Sequence, residues 1–215
     1  MILAIYGAGG LGKEICDTAI TSDTEKYKTI IFIDDNERIR EFYNNTVYNF
    51  ERFKENFKAS DCRVIIAVGE PSIRAFLFER VLKSGYCFTS IIHSSAIISS
   101  TSKIDSGTYI GPFSFISSNS NIADNVVVQP HAMIGHDVVV GHSSIISSNV
   151  VIAGNCTVGK RTYIALNASI EQKVKIGDDS IIGMASCVNK DIPSDVIAMG
   201  YPARVLKKND EKRVF

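Results

Sequence analysis

A large aliphatic residue recurs at every sixth position through the second half of the chain. From Ile92 to Val188, seventeen successive positions spaced six apart are all Ile or Val, with no break in frame. Four residues after each of these positions, as far as Ser186, stands a small or β-branched residue such as Ala132 or Cys156. Neither an α-helix, with a period of about 3.6, nor a strand, with a period of 2, gives this spacing. The pattern predicts a parallel β-helix in which short strands form the sides of a triangular coil and one aliphatic side chain per side points inward.

Three such hexads make one coil of eighteen residues, so residues i and i+18 are expected to stack about 4.8 Å apart. The fourth position of many hexads carries Asn, Asp or His, which tolerate the left-handed backbone of a tight corner. These positions are Asn119, Asn125, His131, Asp137, Asn149, Asn155, Asn167 and Asp179. Because no insertion interrupts the repeat, no single coil has a loop long enough to form a pocket. We therefore expect an active site to need a neighbouring surface, either another subunit or the N-terminal region.

Before about residue 91 the pattern changes to strands that alternate with helices. Apolar runs predict strands at Ile2–Tyr6, Thr29–Ile33 and Arg63–Val68, and helical spacing predicts helices from Lys13 to about Ile20, over Glu51–Phe57 and over Ser72–Lys83, with Ser72 as a candidate N-cap. This alternation predicts a small parallel sheet covered on both faces. The expected organisation is an α/β, Rossmann-like domain at residues 1–90, packed closely against a β-helix domain at residues 91–215.

A glycine-rich loop follows the first predicted strand. Gly7, Gly9 and Gly12 match the pattern G-x-G-x-x-G, and Asp34 and Asp35 follow the second strand. Glycines let the backbone approach phosphates at a helix N-terminus, and a carboxylate can bind a ribose or a base edge. About ninety residues are too few for both halves of a dinucleotide-binding fold, so the sequence predicts a single nucleotide diphosphate. The alternative is a glycine turn that binds no ligand.

The predicted nucleotide site extends to the residues that follow the third strand. Arg74, early in the last predicted helix, is a candidate for contact with phosphate oxygens, the alternative being a solvated arginine. The complete set comprises Gly7, Gly9, Gly10, Gly12, Asp34, Asp35, Gly69 and Arg74.

Three of the four histidines lie within twelve residues, but the hexad phase separates them. His136 and His142 hold the third position of successive hexads, and His131 holds a fourth position, so they cannot face one point in one chain. Asp137 follows His136, and a neighbouring carboxylate can fix the tautomer of an imidazole that acts as a general base. Gly154, one coil above His136, leaves room for a ligand over the ring. The alternative for His136 is a polar corner residue with no catalytic role.

Composition excludes several classes of function. Lys and Arg number 23 and Asp and Glu also number 23, so the net charge of zero gives no reason to expect a nucleic-acid partner. The sequence contains no run of eighteen apolar residues, so no membrane span is expected, and its first residues show no signal-peptide pattern. The five cysteines are odd in number and scattered, which favours a reduced, cytoplasmic protein.

The combined pattern resembles the bacterial nucleotide-amino-sugar N-acetyltransferases of the PglD/NeuD type. The resemblance rests on the loop at residues 7–12, the Asp34–Asp35 pair, the unbroken hexads and the ending Gly200-Tyr201-Pro202-Ala203-Arg204, which matches the G-x-P-A-[KR] ending of hexapeptide acyltransferases. It implies a left-handed parallel β-helix that assembles as a homotrimer. It also implies acetyl-CoA in the groove between neighbouring solenoids and a nucleotide-sugar bound by the N-terminal domain.

The resemblance further implies roles for particular residues. His136 would be the catalytic base, Asp137 would orient it, and Ala153, Gly154 and Leu166 would contact acetyl-CoA. A second histidine found in some members, nine residues after the catalytic one, is replaced by isoleucine here.

The implied reaction is acetyl transfer to the amine of a 4-amino-4,6-dideoxy sugar carried on UDP or dTDP, for a surface glycan such as O-antigen lipopolysaccharide. Two alternatives remain open at this point: O-acetylation of a sialic acid or related sugar, and a non-catalytic protein that binds a nucleotide-sugar.

A metal site is a further alternative. His131 and His136 have the H-x4-H spacing with which some trimeric hexapeptide proteins, the γ-class carbonic anhydrases, bind zinc. The upstream candidate for a third ligand is His93, and a site needs three convergent ligands. We therefore expect no metal.

Overall fold

The N-terminal region is built around one mixed sheet. The computed structural model describes residues 1–22, 26–36 and 38–214. Within these residues the strands β1 (Ile2–Tyr6), β2 (Thr29–Ile33), β3 (Glu41–Phe42), β4 (Asn45–Tyr48) and β5 (Cys62–Ile66) pair in the order β3-β4-β2-β1-β5. The connecting helices are α1 (Gly10–Ser22), α2 (Phe50–Asn56) and α3 (Pro71–Lys83), with a 3-10 turn at Ala59–Asp61. The predicted strands and helices are therefore all present, with ends that differ from the prediction by no more than three residues.

Two local features differ from the sequence-based expectation. The strands β3 and β4 form a short antiparallel hairpin that the apolar pattern did not reveal. Helix α3 begins at Pro71, so its N-cap residue is Glu70 and the predicted cap Ser72 lies inside the helix. The side chain of Glu70 makes no capping hydrogen bond. Proline is favoured at the first helical position because a backbone N–H there would have no partner within the helix, so its absence costs nothing.

Different elements pack against the two faces of the sheet. One face packs against α2 and α3 through side chains such as Phe53 and Phe78. The other face packs against α1, and the same apolar cluster includes Tyr109, Val127 and Ile145 from the solenoid. The two regions therefore share one buried core, in agreement with the close packing expected from the sequence.

From residue 91 the chain forms a coil of two-residue strands. The strands β6 to β22 are, in order, Ile91–Ile92, Ile97–Ile98, Lys103–Ile104, Tyr109–Ile110, Phe115–Ile116, Asn121–Ile122, Val127–Val128, Met133–Ile134, Val139–Val140, Ile145–Ile146, Val151–Ile152, Thr157–Val158, Tyr163–Ile164, Ser169–Ile170, Lys175–Ile176, Ile181–Ile182 and Cys187–Val188. Each ends on one of the periodic Ile or Val residues, and those from Ile110 onward are buried in a single core.

The stacking follows the predicted register of eighteen residues. Phe115 pairs with Met133, and Met133 pairs with Val151, in parallel ladders that form three sheets. All eight predicted corner residues have positive φ, between 54° and 62°. The same backbone geometry continues through residues that disfavour it, including Phe113, Arg161 and Lys173. The repeat therefore imposes the corner conformation even where the local sequence does not favour it.

The solenoid ends in an antiparallel pair of strands. The strand β23 (Val196–Gly200) joins the sheet beside β21, and β24 (Ala203–Lys208) returns along it. Beyond it, the backbone N–H of Val214 donates to Oε2 of Glu70, which brings the C-terminal segment onto the N-terminal region. Among the described residues, no helix has the length and apolar character needed to cross a bilayer.

Candidate active site

His136 lies at the corner that follows β13. The turn Gly135-His136-Asp137 reverses the chain between two sides of the coil, and Asp137 takes the left-handed conformation with φ of 57°. The backbone N–H of Asp137 donates to Ser118 one coil below, and the carbonyl of His136 accepts from Asn155 one coil above. The corner is thus fixed by its neighbours in the stack, and the histidine side chain projects from a rigid backbone.

The imidazole is oriented by the next residue in the chain. Nδ1 of His136 lies 2.7 Å from Oδ2 of Asp137, and Nδ2 of Asn119 donates to the other carboxylate oxygen at 3.3 Å. These two hydrogen bonds hold the pKa of the Asp137 carboxyl below its usual value, and the bond from His136 has the larger effect. With Nδ1 directed at the carboxylate, Nε2 is the nitrogen available to a substrate.

The ring of His136 occupies the space that the missing side chain of Gly154 leaves open. A Cβ atom at this position would lie 2.6 Å from Cε1 and 2.9 Å from Cδ2 of His136, and closer still to Nε2. No L-residue with a side chain fits there without moving the imidazole. The free nitrogen of His136 therefore lies directly against a backbone segment that carries no side chain.

The remaining candidates for acetyl-CoA contact divide between two corners. Ala153 is adjacent to Gly154 and is partly buried. Leu166 lies at a different corner of the triangle and is 39% exposed. These two corners flank the sheet that contains β13, so a single chain does not bring Leu166 and His136 together.

The other histidines lie apart from His136. Nε2 of His142 is 3.0 Å from Oγ of Ser143, and its ring packs edge-on against Phe78, where burial lowers the pKa of the imidazole. The ring of His131 stacks on Phe113 with centroids 5.1 Å apart. The three rings thus occupy three different corners, as the hexad phase predicts. In the described part of the chain, no three His, Cys, Asp or Glu side chains are grouped to hold a metal ion.

The glycine loop, residues 7–12, has two structural glycines and two open ones. Gly7 has φ of 127°, and a Cβ there would lie 2.5 Å from the carbonyl oxygen of Ala67. A Cβ on Gly12 would overlap the carbonyl of Gly7. Around Gly9 and Gly10 nothing lies within 4 Å of an added Cβ, and the same holds for Gly69. Gly9 and Gly10 lie at the N-terminus of α1, where backbone N–H groups favour an anion.

The two adjacent aspartates have different surroundings. Asp34 accepts the N–H of Ala8 on one carboxylate oxygen and the N–H of Asn36 on the other, both at 2.9 Å, and it lines an open cavity. Asp35 is instead held by Arg80, at 2.5 Å, and by the hydroxyl of Tyr6, at 2.6 Å. Burial alone would raise the pKa of Asp35, but these hydrogen bonds outweigh it and the pKa is lowered. Asp34 is therefore the better placed of the pair to meet a ligand, because Tyr6 and Arg80 already engage the carboxylate of Asp35.

The prediction that Arg74 contacts phosphate is wrong for this structure. Arg74 is fully buried, and its guanidinium donates to the carbonyls of Ile66 and Val68 and to both oxygens of Asn125. Burial lowers the pKa of Arg74 to about 9, so it keeps its charge at neutral pH. Its role is to tie α3 and the end of β5 to a corner of the solenoid.

Sequence reasoning missed a cavity beside helix α1. It has a volume of about 260 Å³ and lies between α1 and the first coils. Its lining includes Glu14, Asp17, Thr18 and Thr21 from the helix, with Tyr109 opposite. Burial raises the pKa of Glu14. The signal in the sequence was the spacing of these four polar residues at i, i+3, i+4 and i+7, which places them on one face of the helix.

Two family models match the chain. The PglD N-terminal domain matches residues 2–81, and the bacterial transferase hexapeptide model, with six repeats, matches residues 119–154. Among curated proteins, the galactoside O-acetyltransferase of Escherichia coli (strain K12) is 41% identical over 56 residues, which are 26% of this chain and 28% of that protein. The 2,3,4,5-tetrahydropyridine-2,6-dicarboxylate N-acetyltransferase of Clostridium perfringens is 39% identical over 57 residues, 26% of this chain and 24% of that protein. The chain thus spans about a quarter of the length of these relatives.

Solved structures match over almost the whole chain. PerB from Caulobacter crescentus, in complex with CoA and GDP-perosamine, is 23% identical, with a TM-score of 0.88 over 96% of this chain and 98% of that one. The acetyltransferase domain of PglB from Neisseria gonorrhoeae FA1090, in complex with acetyl coenzyme A, is 26% identical, with a TM-score of 0.89 over 95% of this chain and 98% of that one. The chain therefore joins a domain that matches the PglD N-terminal domain to a left-handed parallel β-helix of bacterial transferase hexapeptide repeats, a fold that it shares with the acetyltransferase domain of PglB.

Proposed function

We propose that this protein transfers an acetyl group from acetyl-CoA to the amine of a nucleotide-linked amino sugar, with His136 as the general base. The observation that carries the proposal is the 2.7 Å contact between Nδ1 of His136 and Asp137, which leaves Nε2 free beneath Gly154. The similarity to a protein named as an O-acetyltransferase supports acetyl transfer, and the similarity to a structure that holds CoA together with GDP-perosamine supports a nucleotide-linked amino sugar as the acceptor.

In the proposed reaction the substrate amine attacks the thioester carbonyl. A C–N bond forms, and Nε2 of His136 takes the proton that the amine loses. Asp137 stabilises the resulting imidazolium. The C–S bond then breaks, CoA leaves as a thiolate, and the imidazolium returns the proton to it. No covalent acyl-enzyme is needed, because a bound pair of substrates supplies proximity.

We propose the backbone N–H of Gly154 as the donor to the developing oxyanion. Among the described residues this N–H has no hydrogen-bond partner, although the carbonyl of Gly154 accepts from Lys173. An unused donor next to the general base has the chemistry of an oxyanion hole. Ala153, Gly154 and Leu166 remain the proposed contacts for acetyl-CoA.

The proposed assembly is a homotrimer. The outward residues Ile97, Phe115, Met133 and Val151 stack on one sheet of the solenoid and are between 37% and 65% exposed. We refer to these four residues as the apolar stripe. A contiguous exposed apolar surface favours a protein partner, and a second copy of the chain that covers it would create the groove for acetyl-CoA.

In this proposal the domain at residues 91–215 binds acetyl-CoA, and the domain at residues 1–90 binds the nucleotide. Gly9 and Gly10 would approach the diphosphate, and Asp34 the nucleoside. The sequence-based candidates for the nucleotide are UDP and dTDP, and the relative that binds GDP-perosamine adds GDP. The proposed sugar is a 4-amino-4,6-dideoxyhexose, acetylated in the cytoplasm for a surface glycan.

The experiment is an assay of the purified protein with acetyl-CoA and a 4-amino-4,6-dideoxy sugar on GDP, UDP or dTDP. Release of the CoA thiol and a product heavier by one acetyl group support the proposal. A parallel reaction with sialic acid separates O-acetylation. If acetyl-CoA neither raises the melting midpoint nor is consumed, the protein is a non-catalytic binder and the proposal fails.

A further inference from the structure

We infer that the nucleotide carried by the substrate is a guanosine diphosphate, read by two arginines and the carboxylate of Asp34. The inference rests on the proposed function and names the base that the N-terminal domain selects. The relevant feature is a cavity beside the glycine loop, and we call this cavity the base cleft. The cleft is lined by Asp34, Ile39, Arg40, Val47, Asn49 and Arg52.

The base cleft is in the right place for a nucleoside. Asp34 follows the carboxyl end of β2 and accepts the N–H of Ala8 from the glycine loop at 2.9 Å. In parallel α/β sheets, ligands bind beyond the carboxyl ends of the strands, with phosphates at the helix N-terminus after the first strand. A diphosphate at Gly9 and Gly10 would therefore place its nucleoside beside Asp34.

Asp34 presents a pair of acceptors whose direction is already fixed. Each carboxylate oxygen takes one backbone N–H, from Ala8 or from Asn36, and each keeps a further lone pair. A carboxylate held in this way matches a ligand edge that offers two neighbouring N–H groups.

The other polar groups of the base cleft are donors. Arg40 and Arg52 are exposed, and within residues 1–22, 26–36 and 38–214 neither guanidinium takes part in a hydrogen bond or an ion pair. Asn49 uses its side-chain oxygen to cap α2 at the N–H of Arg52, which leaves its amide NH₂ as a further donor. Ile39 and Val47 supply apolar walls for the faces of a flat ring. A second cavity, of about 520 Å³, adjoins the cleft and shares both arginines, so their side chains have room to move towards a ligand.

Guanine satisfies both sets of groups at once. Its N1–H and N2–H₂ are neighbouring donors for a carboxylate, and its O6 and N7 are the paired acceptors to which an arginine fork binds best. Uracil and thymine offer one N–H between two carbonyls, so one oxygen of Asp34 and one arginine fork stay unmatched. Adenine lacks the paired acceptors. A polar group that the bound base covers without pairing loses its water and gains no partner, which costs binding energy and is the basis for discrimination.

The test uses isothermal titration of the wild-type protein with GDP, UDP, dTDP, inosine diphosphate and 7-deaza-GDP. We expect GDP to bind at least about tenfold more tightly than UDP or dTDP, since each bidentate contact discriminates by roughly 1–3 kcal/mol. Inosine diphosphate, which lacks the N2 amine, and 7-deaza-GDP, which lacks N7, should each bind roughly five- to hundredfold more weakly than GDP. These two analogues test the Asp34 contact and the arginine contact separately without a mutation.

The protein side of the contact is tested with Arg40→Met, Arg52→Met and the double variant, which keep the aliphatic stem and remove the fork. The double variant should lose the preference for GDP over UDP, and the matched control Arg213→Met, an exposed arginine outside the base cleft, should keep it. UDP or dTDP binding as tightly as GDP, or a double variant that retains the GDP preference, overturns this inference alone. Failure of every nucleotide diphosphate to bind overturns the proposed function with it.

Discussion

The ring of His136 lies against the α-carbon of Gly154, eighteen residues later and one coil further along the solenoid. A Cβ at Gly154 would meet Cε1 of the ring at 2.6 Å, while nothing rigid confines the imidazole on its solvent side, since the side chain is 53% exposed. The substitution Gly154→Ala is therefore expected to displace the imidazole rather than to unfold the coil. We predict a loss of turnover on the order of a hundredfold, the usual scale for general-base catalysis, with little change in the melting midpoint.

Gly135→Ala is the matched control for this prediction. A Cβ there would lie 2.7 Å from the backbone nitrogen of Gly154 and 2.9 Å from the carbonyl oxygen of Ile152. Because backbone atoms of a stacked coil cannot move aside, this variant should lower the melting midpoint. If Gly154→Ala proves less stable than Gly135→Ala, or keeps full turnover, the assigned position of the imidazole is wrong.

The buried guanidinium of Arg74 links the two halves of the molecule. Arg74→Met removes donors from the carbonyls of Ile66 and Val68 and from Asn125. We expect a loss in the free energy of unfolding on the order of 3 kcal/mol, since several buried acceptors lose their partners. Arg74→Lys should recover little, because an ammonium does not reproduce the planar fork. Chemical denaturation at a fixed protein concentration measures both.

The control is Arg63→Met, because Arg63 is half-buried and donates only to the adjacent carbonyl of Cys62 among the described residues. A change below about 1 kcal/mol is expected for it. An Arg74→Met variant that unfolds like the wild type but fails to bind a nucleotide diphosphate would restore the sequence-based interpretation of a phosphate ligand.

Asp179 gives a pH dependence of stability. It is 4% exposed, and Arg161 contacts both of its oxygens, at 2.7 and 2.6 Å, with Lys212 at 3.3 Å. Burial acts to raise the pKa of Asp179, but the contacts with Arg161 and Lys212 outweigh it, and the pKa is lowered from 3.8. A depressed carboxyl pKa stabilises the fold above the unfolded-state value and loses that stabilisation as the pH falls through the folded-state value.

We therefore predict that the melting midpoint of the wild type decreases as the pH is lowered below about 4. In Asp179→Asn this decrease of the melting midpoint in acid should be smaller. At neutral pH, Arg161→Met should cost about 1.5–3 kcal/mol, the scale of a hydrogen bond to a charged group. The exposed Arg213→Met should cost less than about 0.5 kcal/mol. An acid transition that is identical in the wild type and in Asp179→Asn would contradict this assignment.

The apolar stripe predicts the oligomeric state. Met133, at its centre, is 48% exposed, and Met133→Lys would bury a charge in the proposed interface. We expect the wild type to sediment as a trimer and Met133→Lys as a monomer or a mixture. Asn121→Lys, an outward position on the neighbouring sheet, should remain trimeric. A monomeric wild type would remove the groove in which acetyl-CoA is proposed to bind.

The hexad pattern determines the solenoid almost residue by residue. The buried aliphatic positions, the register of eighteen and the corners at residues such as Asn119 and Asn155 follow directly from the period. This succeeds because each repeat contacts only its neighbours, so the relevant information is local. The pairing of His136 with Asp137 could be predicted for the same reason.

Contacts over long sequence distances could not be predicted in this way. Arg74 is buried because Asn125, fifty-one residues later, folds over it. The carboxylate of Asp35 is engaged by Arg80, forty-five residues later. In the sequence, each of these residues has the same local appearance as a solvated or ligand-binding side chain. Only the packing of the N-terminal sheet against its helices and the solenoid distinguishes the two.

The most direct test of the account compares the wild type with His136→Ala and with His142→Gln, which changes a histidine at the same hexad position one side further along. Turnover is measured with acetyl-CoA and a nucleotide-linked 4-amino-4,6-dideoxy sugar, and the affinity for acetyl-CoA is measured separately. We predict that His136→Ala loses about a hundredfold or more in kcat with nearly unchanged affinity for acetyl-CoA, and that His142→Gln stays close to the wild type. Near-normal turnover by a folded His136→Ala variant would contradict the assignment of this histidine as the general base.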